Sequence, residues 1–269
     1  MAANPHSRTD LARDLRALGL RAGDTVMVHA ALRRLGRVLG GAVVLVDALL
    51  DATGPGGTVM AYTDFGTEYD DLLDGEGRVP AQWRPHLPPF DPAATPAIRE
   101  VGAWPELLRT RPGARRSANP GAACAALGAR APDLTRDHPH DYGYGADSPF
   151  GRLAALPGGR VLMLGAPWET MTLLHHAEQM ARLPDRRVRR YEVPLAVEDG
   201  VSWRMIEEFE TRIPVLPEFR DDYFGDIVRD FVASGQGREG RVGDAPALLV
   251  GAGAIVDFAC RWMEERAGA

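Results

Sequence analysis

The sequence predicts an α/β protein, with helices packed on the faces of a central sheet, and three observations carry that expectation. From residue 8 onward, amphipathic segments with apolar residues at helical spacing alternate with short continuous apolar runs of strand type. Glycine-rich punctuation, such as GPGG at 54–57, separates one kind of segment from the next. A chain of 269 residues, 45% apolar and 25% charged, has a globular make-up and suffices for one large α/β domain or two small lobes. Strand–helix–strand alternation of this kind builds layered sheets.

The elements follow in order. RTDLARDLRALG at 8–19 has leucines at helical spacing, with Thr9 as the expected N-cap and Gly19 as the stop. RAGDTVMVHA at 21–30 reads as a turn and a short buried strand ending at His29. GGAVVLVDALLDATG at 40–54 is a second helix, and GTVMAYT at 57–63 the next strand. Residues 64–96 change character: an acidic stretch, DFGTEYDDLLDGEGR, precedes the proline-rich RPHLPPFDPAATP. A loop that long in a compact domain is usually functional. YGYGADSPFGRL at 142–153 is a second glycine-rich loop, and RVLMLGAP at 160–167 a buried strand leading into a helix that carries two histidines. The segment 189–211 reads as a hairpin turning at Glu198-Asp199-Gly200, and 247–266 as a strand and a terminal helix.

Composition removes several function classes. Cys124 and Cys260 are far apart and form no CxxC, which argues against a disulfide framework or a cysteine-rich zinc site. All 31 basic residues are arginine, so Schiff-base and P-loop lysines are absent. A formal charge of −6 suits a cationic partner better than nucleic acid. No apolar run spans a bilayer, and the N-terminus is charged where a signal peptide needs an apolar stretch, so a cytoplasmic protein without membrane partners is expected. Cys124 lies in the apolar run ACAALG, which suits an inert thiol, and no GxSxG elbow exists.

Four clusters carry chemistry. In TLLHHAE, His175 and Glu178 share a helix face while His176 points about 100° away, so the two histidines cannot both ligate one metal from a regular helix. A base and a hydrogen-bonded core histidine stay open for His175. After His29, the backbone N–H groups of Ala30, Ala31 and Leu32 are placed to open a helix and hold an anion. Arg116 and Ser117 in RRSANP suit a phosphate grip or a solvated turn. Asp64, Glu68, Asp70, Asp71, Glu169, Glu207, Glu208 and Glu210 are candidates for a cation-binding wall.

Eight segments in order then carry a family resemblance: DTVMVHAALRRLG, GPGGTVMAYT, PPFDPAATPA, RRSANPGAACAALG, HDYGYGADSPFGRL, VLMLGAPWETMTLLHHAE, DYFGDIVRDFV and GRVGDAPALL. Together they cover about residues 10–262, and the chain resembles the aminoglycoside 3-N-acetyltransferases (antibiotic N-acetyltransferases). The resemblance implies a mixed central sheet with flanking helices, distinct from the histone-acetyltransferase fold. It also implies one acetyltransferase domain over residues 1–269, with a cofactor and drug cleft between two lobes. The implied reaction is acetyl-coenzyme A-dependent acetylation of the 3-amino group of 2-deoxystreptamine in aminoglycosides, conferring resistance, with no metal.

The implied roles fall residue by residue. His175 is the general base, because an amine largely protonated at neutral pH must lose a proton and an imidazole of pKa about 6.5 is suited to take it. Its supporting carboxylate is Glu208 or Glu210, with Glu178 as the local alternative. His29, Ala30, Ala31, Leu32, Arg116, Ser117 and Ser148 hold coenzyme A; Asp64, Tyr144, Asp147, Glu169, Glu178 and Glu207 face the drug. Two departures, HAAL for HASL at Ala31 and NPGAA for NPxAS at Ala123, remove hydroxyls near the cofactor. Three rivals are a family member acylating another amine, such as a biosynthetic intermediate, a metal hydrolase using His138, His140, His175 and His176, and a non-catalytic binding protein.

Overall fold

A computed structural model describes residues 4–65 and 69–268; the candidate Glu68 lies outside the described residues. Helix α1 (Arg8–Leu18) leads to strand β1 (Thr25–Ala30), helix α2 (Val44–Thr53) and strand β2 (Thr58–Tyr62). Ser7, one residue before the helix, is the N-cap in place of Thr9. Its hydroxyl accepts the Asp10 N–H while the Asp10 carboxylate accepts the Ser7 N–H, a reciprocal capping box that Thr9, already inside the first turn, cannot make. After the long loop come α3 (Trp104–Arg109), β3 (Arg115–Arg116), β4 (Cys124–Gly128), α4 (Ala131–Thr135), α5 (Pro149–Ala155) and β5 (Gly159–Leu164). The histidine helix is α6 (Leu173–Met180). The hairpin is β6 (Val188–Val197) and β7 (Gly200–Phe209), followed by α7 (Tyr223–Ala233), β8 (Arg238–Val242), β9 (Ala245–Gly251) and α8 (Ala252–Ala267).

Seven strands form a mixed sheet in the order β3-β4-β2-β1-β5-β9-β8. The central β2, β1 and β5 are parallel, and the flanking pairs are antiparallel. Alternation along β1 divides the core. Met27 packs with α5 to α8 on one face, while Val26 and Val28 pack with α1, α2 and α3 on the other. The hairpin β6–β7 is a separate two-stranded sheet. Chain connections run from β1 to β2 on one side, and β5 joins on the other. The crevice beyond the carboxyl end of β1 is therefore where an α/β sheet leaves room for ligands.

Candidate active site

Helix α6 is anchored by Leu173, Leu174 and Ala177, all fully buried, which fixes its polar face toward that crevice. His175 Nδ1 lies 2.6 Å from Glu178 Oε2. The other oxygen of Glu178 accepts the hydroxyl of Tyr223 on α7. Phe224 meets the imidazole edge-on at 4.9 Å between centroids, and the Tyr144 ring lies 5.1 Å away. This corrects the expected support from Glu208 or Glu210. Residues three apart on a helix are neighbours, and Tyr223 holds the glutamate in the position that meets the ring. His176 points elsewhere, its Nδ1–H donating to the Tyr144 carbonyl at 2.6 Å.

Two hollows meet at this helix, and a third adjoins them. An open channel beyond β1 and β5, with a cavity volume of about 430 Å³, is lined by His29, Ala30, Ala31, Tyr62, Gly102, Trp104, Ala166, Pro167, Glu169 and His175, among others. A small chamber holds His175, Glu178, Gln179, Arg186, Glu208 and Glu210. A third hollow, under the hairpin, is lined by Tyr62, Asp64, Asp70, Tyr144, Arg189, Glu208, Glu210 and Arg212. The last two share Tyr144, Glu208 and Glu210 and form one region, acidic by five carboxylates (Asp64, Asp70, Glu178, Glu208 and Glu210) although Arg186, Arg187, Arg189 and Arg212 also line it. Among the described residues only His175 and Tyr62 line both the channel and the acidic region.

The carboxylates of that region divide by partner. Asp70 is paired with Arg189 and Arg212, and Glu210 with Arg212 at 2.7 Å. Glu208 has no arginine; it accepts the backbone N–H groups of Gly143 and Phe209, and burial pushes its pKa up to about 7. Gly143 can deliver that N–H because it has no side chain, since a Cβ there would stand 2.4 Å from the Asn119 amide nitrogen. Asp64, at φ 46°, accepts the Phe65 N–H at 2.6 Å. Desolvation pushes its pKa up to about 6. Three expected wall residues are corrected. Glu207 lies on the opposite face of β7, where it accepts the Tyr142 hydroxyl and pairs with Arg190 at 2.7 Å. Asp147 is exposed and lines none of the three hollows, because the loop turns it outward just before the N-cap of α5. Glu169 lines the channel and not the acidic region.

Cofactor-side expectations divide as well. His29, Ala30 and Ala31 line the channel, but Leu32 does not. Ala31 N–H is already taken by the Leu164 carbonyl at 2.9 Å, and Leu32–Leu35 is a single 3₁₀ turn, so no helix opens there to hold an anion. Burial pulls the His29 pKa down to about 4, leaving a neutral ring whose Nε2 has no protein partner. Arg116, Ser117 and Ser148 are structural. Arg116 donates to Thr63 Oγ1 at 2.8 Å and to the Thr95 carbonyl, and stacks on Phe90. Ser117 is fully buried between the Cys124 N–H at 3.0 Å and His138 Nδ1 at 2.9 Å. Ser148 caps α5, accepting the Gly151 N–H and donating to the Gly145 carbonyl. His138 is a brace for the 138–145 loop: its Nε2–H donates to the Gly143 carbonyl at 2.7 Å, so both ring nitrogens are used. Among the described residues no group of three or more His, Cys, Asp or Glu is disposed to hold a metal.

Sequence reasoning missed Tyr62, Tyr223, Phe224 and Arg186. Tyr223 and Phe224 stand in DYFGDIVRDFV, whose helical pattern marks them as core. Nothing local says that they meet a helix almost fifty residues earlier. An imidazole backed by a carboxylate, set between a channel and a carboxylate-bearing region, is the arrangement of an enzyme that takes a proton from one of two bound reactants. A family model described as aminoglycoside 3-N-acetyltransferase matches residues 27–264. The chain is similar to the aminoglycoside N(3)-acetyltransferase III of Pseudomonas aeruginosa, at 43% identity over 98% of this chain and 96% of that one. Among solved structures it is similar to AAC-IIIb in a binary complex with CoASH, with a TM-score of 0.96 and 55% identity over 98% of both chains. It is also similar to AAC-VIa bound to sisomicin, with a TM-score of 0.92 and 36% identity over 99% of this chain and 100% of that one. The protein belongs to the aminoglycoside 3-N-acetyltransferase family and is an acyltransferase.

Proposed function

We propose that this protein transfers the acetyl group of acetyl-coenzyme A to the 3-amino group of the 2-deoxystreptamine ring of aminoglycosides, with His175 as general base and resistance as the outcome. The observation that carries this is His175, backed by Glu178 at 2.6 Å and lining both the channel and the acidic region. Acetyl-coenzyme A supplies the acyl group as a thioester, and the channel fits such a slender donor. Its walls include Ala30, Ala31, Gly102, Ala166 and Pro167, and the buried Trp104 indole N–H and His29 Nε2 are unpartnered toward protein. Glu178 accepts the Nδ1–H of His175, leaving Nε2 as the proton acceptor, and favours the imidazolium once formed. Glu208, which pairs with no arginine among the described residues, and Asp64, whose carboxylate lies in the field of Arg116 but accepts the Phe65 N–H, receive the ammonium groups of the drug. No metal takes part in this reading. Residues 1–269 act as one domain, the sheet forming one lobe of the cleft and the hairpin the other, and the reaction is placed in the cytoplasm, where its acyl donor is made.

Release of coenzyme A thiol in the presence of acetyl-coenzyme A and an aminoglycoside panel tests the reading. Turnover is expected in the wild type, with the product acetylated at the 3-position by mass and NMR analysis. His175→Ala should lose about 10²-fold or more in kcat while staying folded. The alternative, an N-acyltransferase of this family acting on another amine such as a biosynthetic intermediate, is favoured by one observation: arginines already neutralise Asp70 and Glu210. Silence on every aminoglycoside, with turnover of a less cationic amine, would select it.

A further inference from the structure

We propose that Tyr62 is a catalytic residue whose hydroxyl donates a hydrogen bond to the thioester carbonyl oxygen as the amine attacks. The inference rests on the acetyl-transfer reading above. The acyl donor and the amine occupy different hollows and must react where these join. Among the described residues Tyr62 and His175 alone line both sides of that junction, and His175 is committed to the proton of the amine. Tyr62 closes β2 at its carboxyl end, with its ring tilted against Phe150 at 6.2 Å. Its Oη stands 3.1 Å from Tyr144 Oη and 3.3 Å from the Gly121 carbonyl, and Asp64 lies beside it.

Either hydroxyl can donate in the Tyr62–Tyr144 bond, and one arrangement serves the reaction. The contacts of both hydroxyls to the Gly121 carbonyl, at 3.3 and 3.4 Å, are long for O–H donors and easily given up. With Tyr144 donating to Tyr62 Oη, the Tyr62 proton is free to point outward, and the polarised pair strengthens that donor. An ammonium of the substrate on Asp64 removes the competing acceptor. Burial raises the pKa of Tyr62 well above the ordinary tyrosine value, so the hydroxyl keeps its proton and acts by hydrogen bonding alone. In the balanced step the nitrogen lone pair forms the C–N bond and His175 takes the nitrogen proton. Negative charge gathers on the oxygen facing Tyr62, and the C–S bond breaks with its electron pair leaving on sulfur. Tyr144 is then a positioning residue.

Tyr62→Phe tests this. Loss of one donor to a developing charge predicts a fall of about 10²-fold in kcat. Both KM values should stay within about threefold, with the factor the same for every amine accepted, because the thioester oxygen is common to all. The pH dependence of kcat/KM should stay that of the wild type. A second readout needs no turnover: the carbonyl stretch of S-acetonyl-coenzyme A, a ketone analogue, should lie at lower frequency on the wild type than on Tyr62→Phe. Retention of kcat within about threefold, a loss confined to the KM of the amine, or identical carbonyl frequencies would each overturn the proposal. Should Tyr62→Phe not fold, Tyr144→Phe carries the test, with a fall of about tenfold in kcat expected from a lost hydrogen-bonded neighbour and no fall overturning it. A wild type that shifts the carbonyl stretch but acylates no amine would sink the acetyl-transfer reading and leave the Tyr62 contact standing.

Discussion

His175 and Glu178 are three residues apart, and the structure makes them one unit with Tyr223. Glu178→Gln keeps the shape but loses the acceptor that fixes the tautomer and stabilises the imidazolium. We expect kcat to fall by about 10²-fold with little change in the KM of the amine. Glu208→Gln should do the reverse, raising that KM while largely sparing kcat, and steady-state kinetics on both variants separates the two roles. Glu208 also leaves a mark on stability. Its folded pKa of about 7 lies above the ordinary glutamate value, so the folded state binds more protons than the unfolded one between about pH 4.5 and 7. Its contribution is fully present at the acid end of that window and is lost as pH rises through 7, by up to about 3 kcal/mol. Glu208→Gln should therefore match the wild type in thermal midpoint near pH 5 and exceed it by several degrees at pH 8. A wild type and variant that run parallel across pH would show that Glu208 is not held in this way. His29 and His138, both pulled down to about 4 by burial, act in the opposite direction, their contribution being present above about 6.5 and lost as pH falls through 4.

At the scale of elements, the active helix is short and depends on what holds its end. Arg186 donates to the carbonyls of Gln179 at 2.8 Å and Glu178 at 2.6 Å and also to that of Ala181, while its guanidinium lies 4.5 Å over the ring of Phe209 on β7. It caps the C-terminal end of α6 and ties that helix to the strand carrying Glu208. Arg186→Leu should cost about 1–3 kcal/mol of stability, the scale of charged hydrogen bonds. It should lower kcat while changing the KM for acetyl-coenzyme A little, since His175 is the one residue of α6 among those lining the channel. Denaturant titration beside kinetics checks this, and an unchanged midpoint would deny the clamp. The same scale explains why the roles of Arg116, Ser117 and Ser148 are ambiguous in the sequence. Two arginines before a serine, and a serine before a proline, read alike as ligand grips or as structural braces until their partners are known. Here those partners are Thr63, His138 and Gly151, each brought from another segment or turn.

Taken whole, the molecule has a formal charge of −6, with Glu208 and Asp64 near the hairpin making no side-chain ion pair among the described residues. A polycationic acceptor should be drawn in by that field, and salt should weaken the attraction. The KM of the aminoglycoside is expected to rise several-fold between about 0.05 and 0.5 M salt. A KM insensitive to salt would mean that shape, not charge, recognises the acceptor. No helix among the described residues is long and apolar enough to cross a membrane.

What the sequence determined by itself is local or contiguous. The α/β alternation, the hairpin turn and the terminal helix follow from periodicity and punctuation over a few residues. The separation of His175 from His176 follows from 100° per residue. The family was legible because eight segments kept their order. Tertiary structure alone decided the partners. Glu178 outranks Glu208 and Glu210 because Tyr223, forty-five residues away, holds it. Glu207 turns away while Glu208 turns in because the sheet register puts neighbours on opposite faces, and nothing in EEFET says which face is buried. Tyr62 reaches the junction only because β2, β1 and β5 end side by side. Burial, and with it the pKa of each carboxylate and histidine, belongs to the packed molecule, since desolvation depends on every segment that closes over the group.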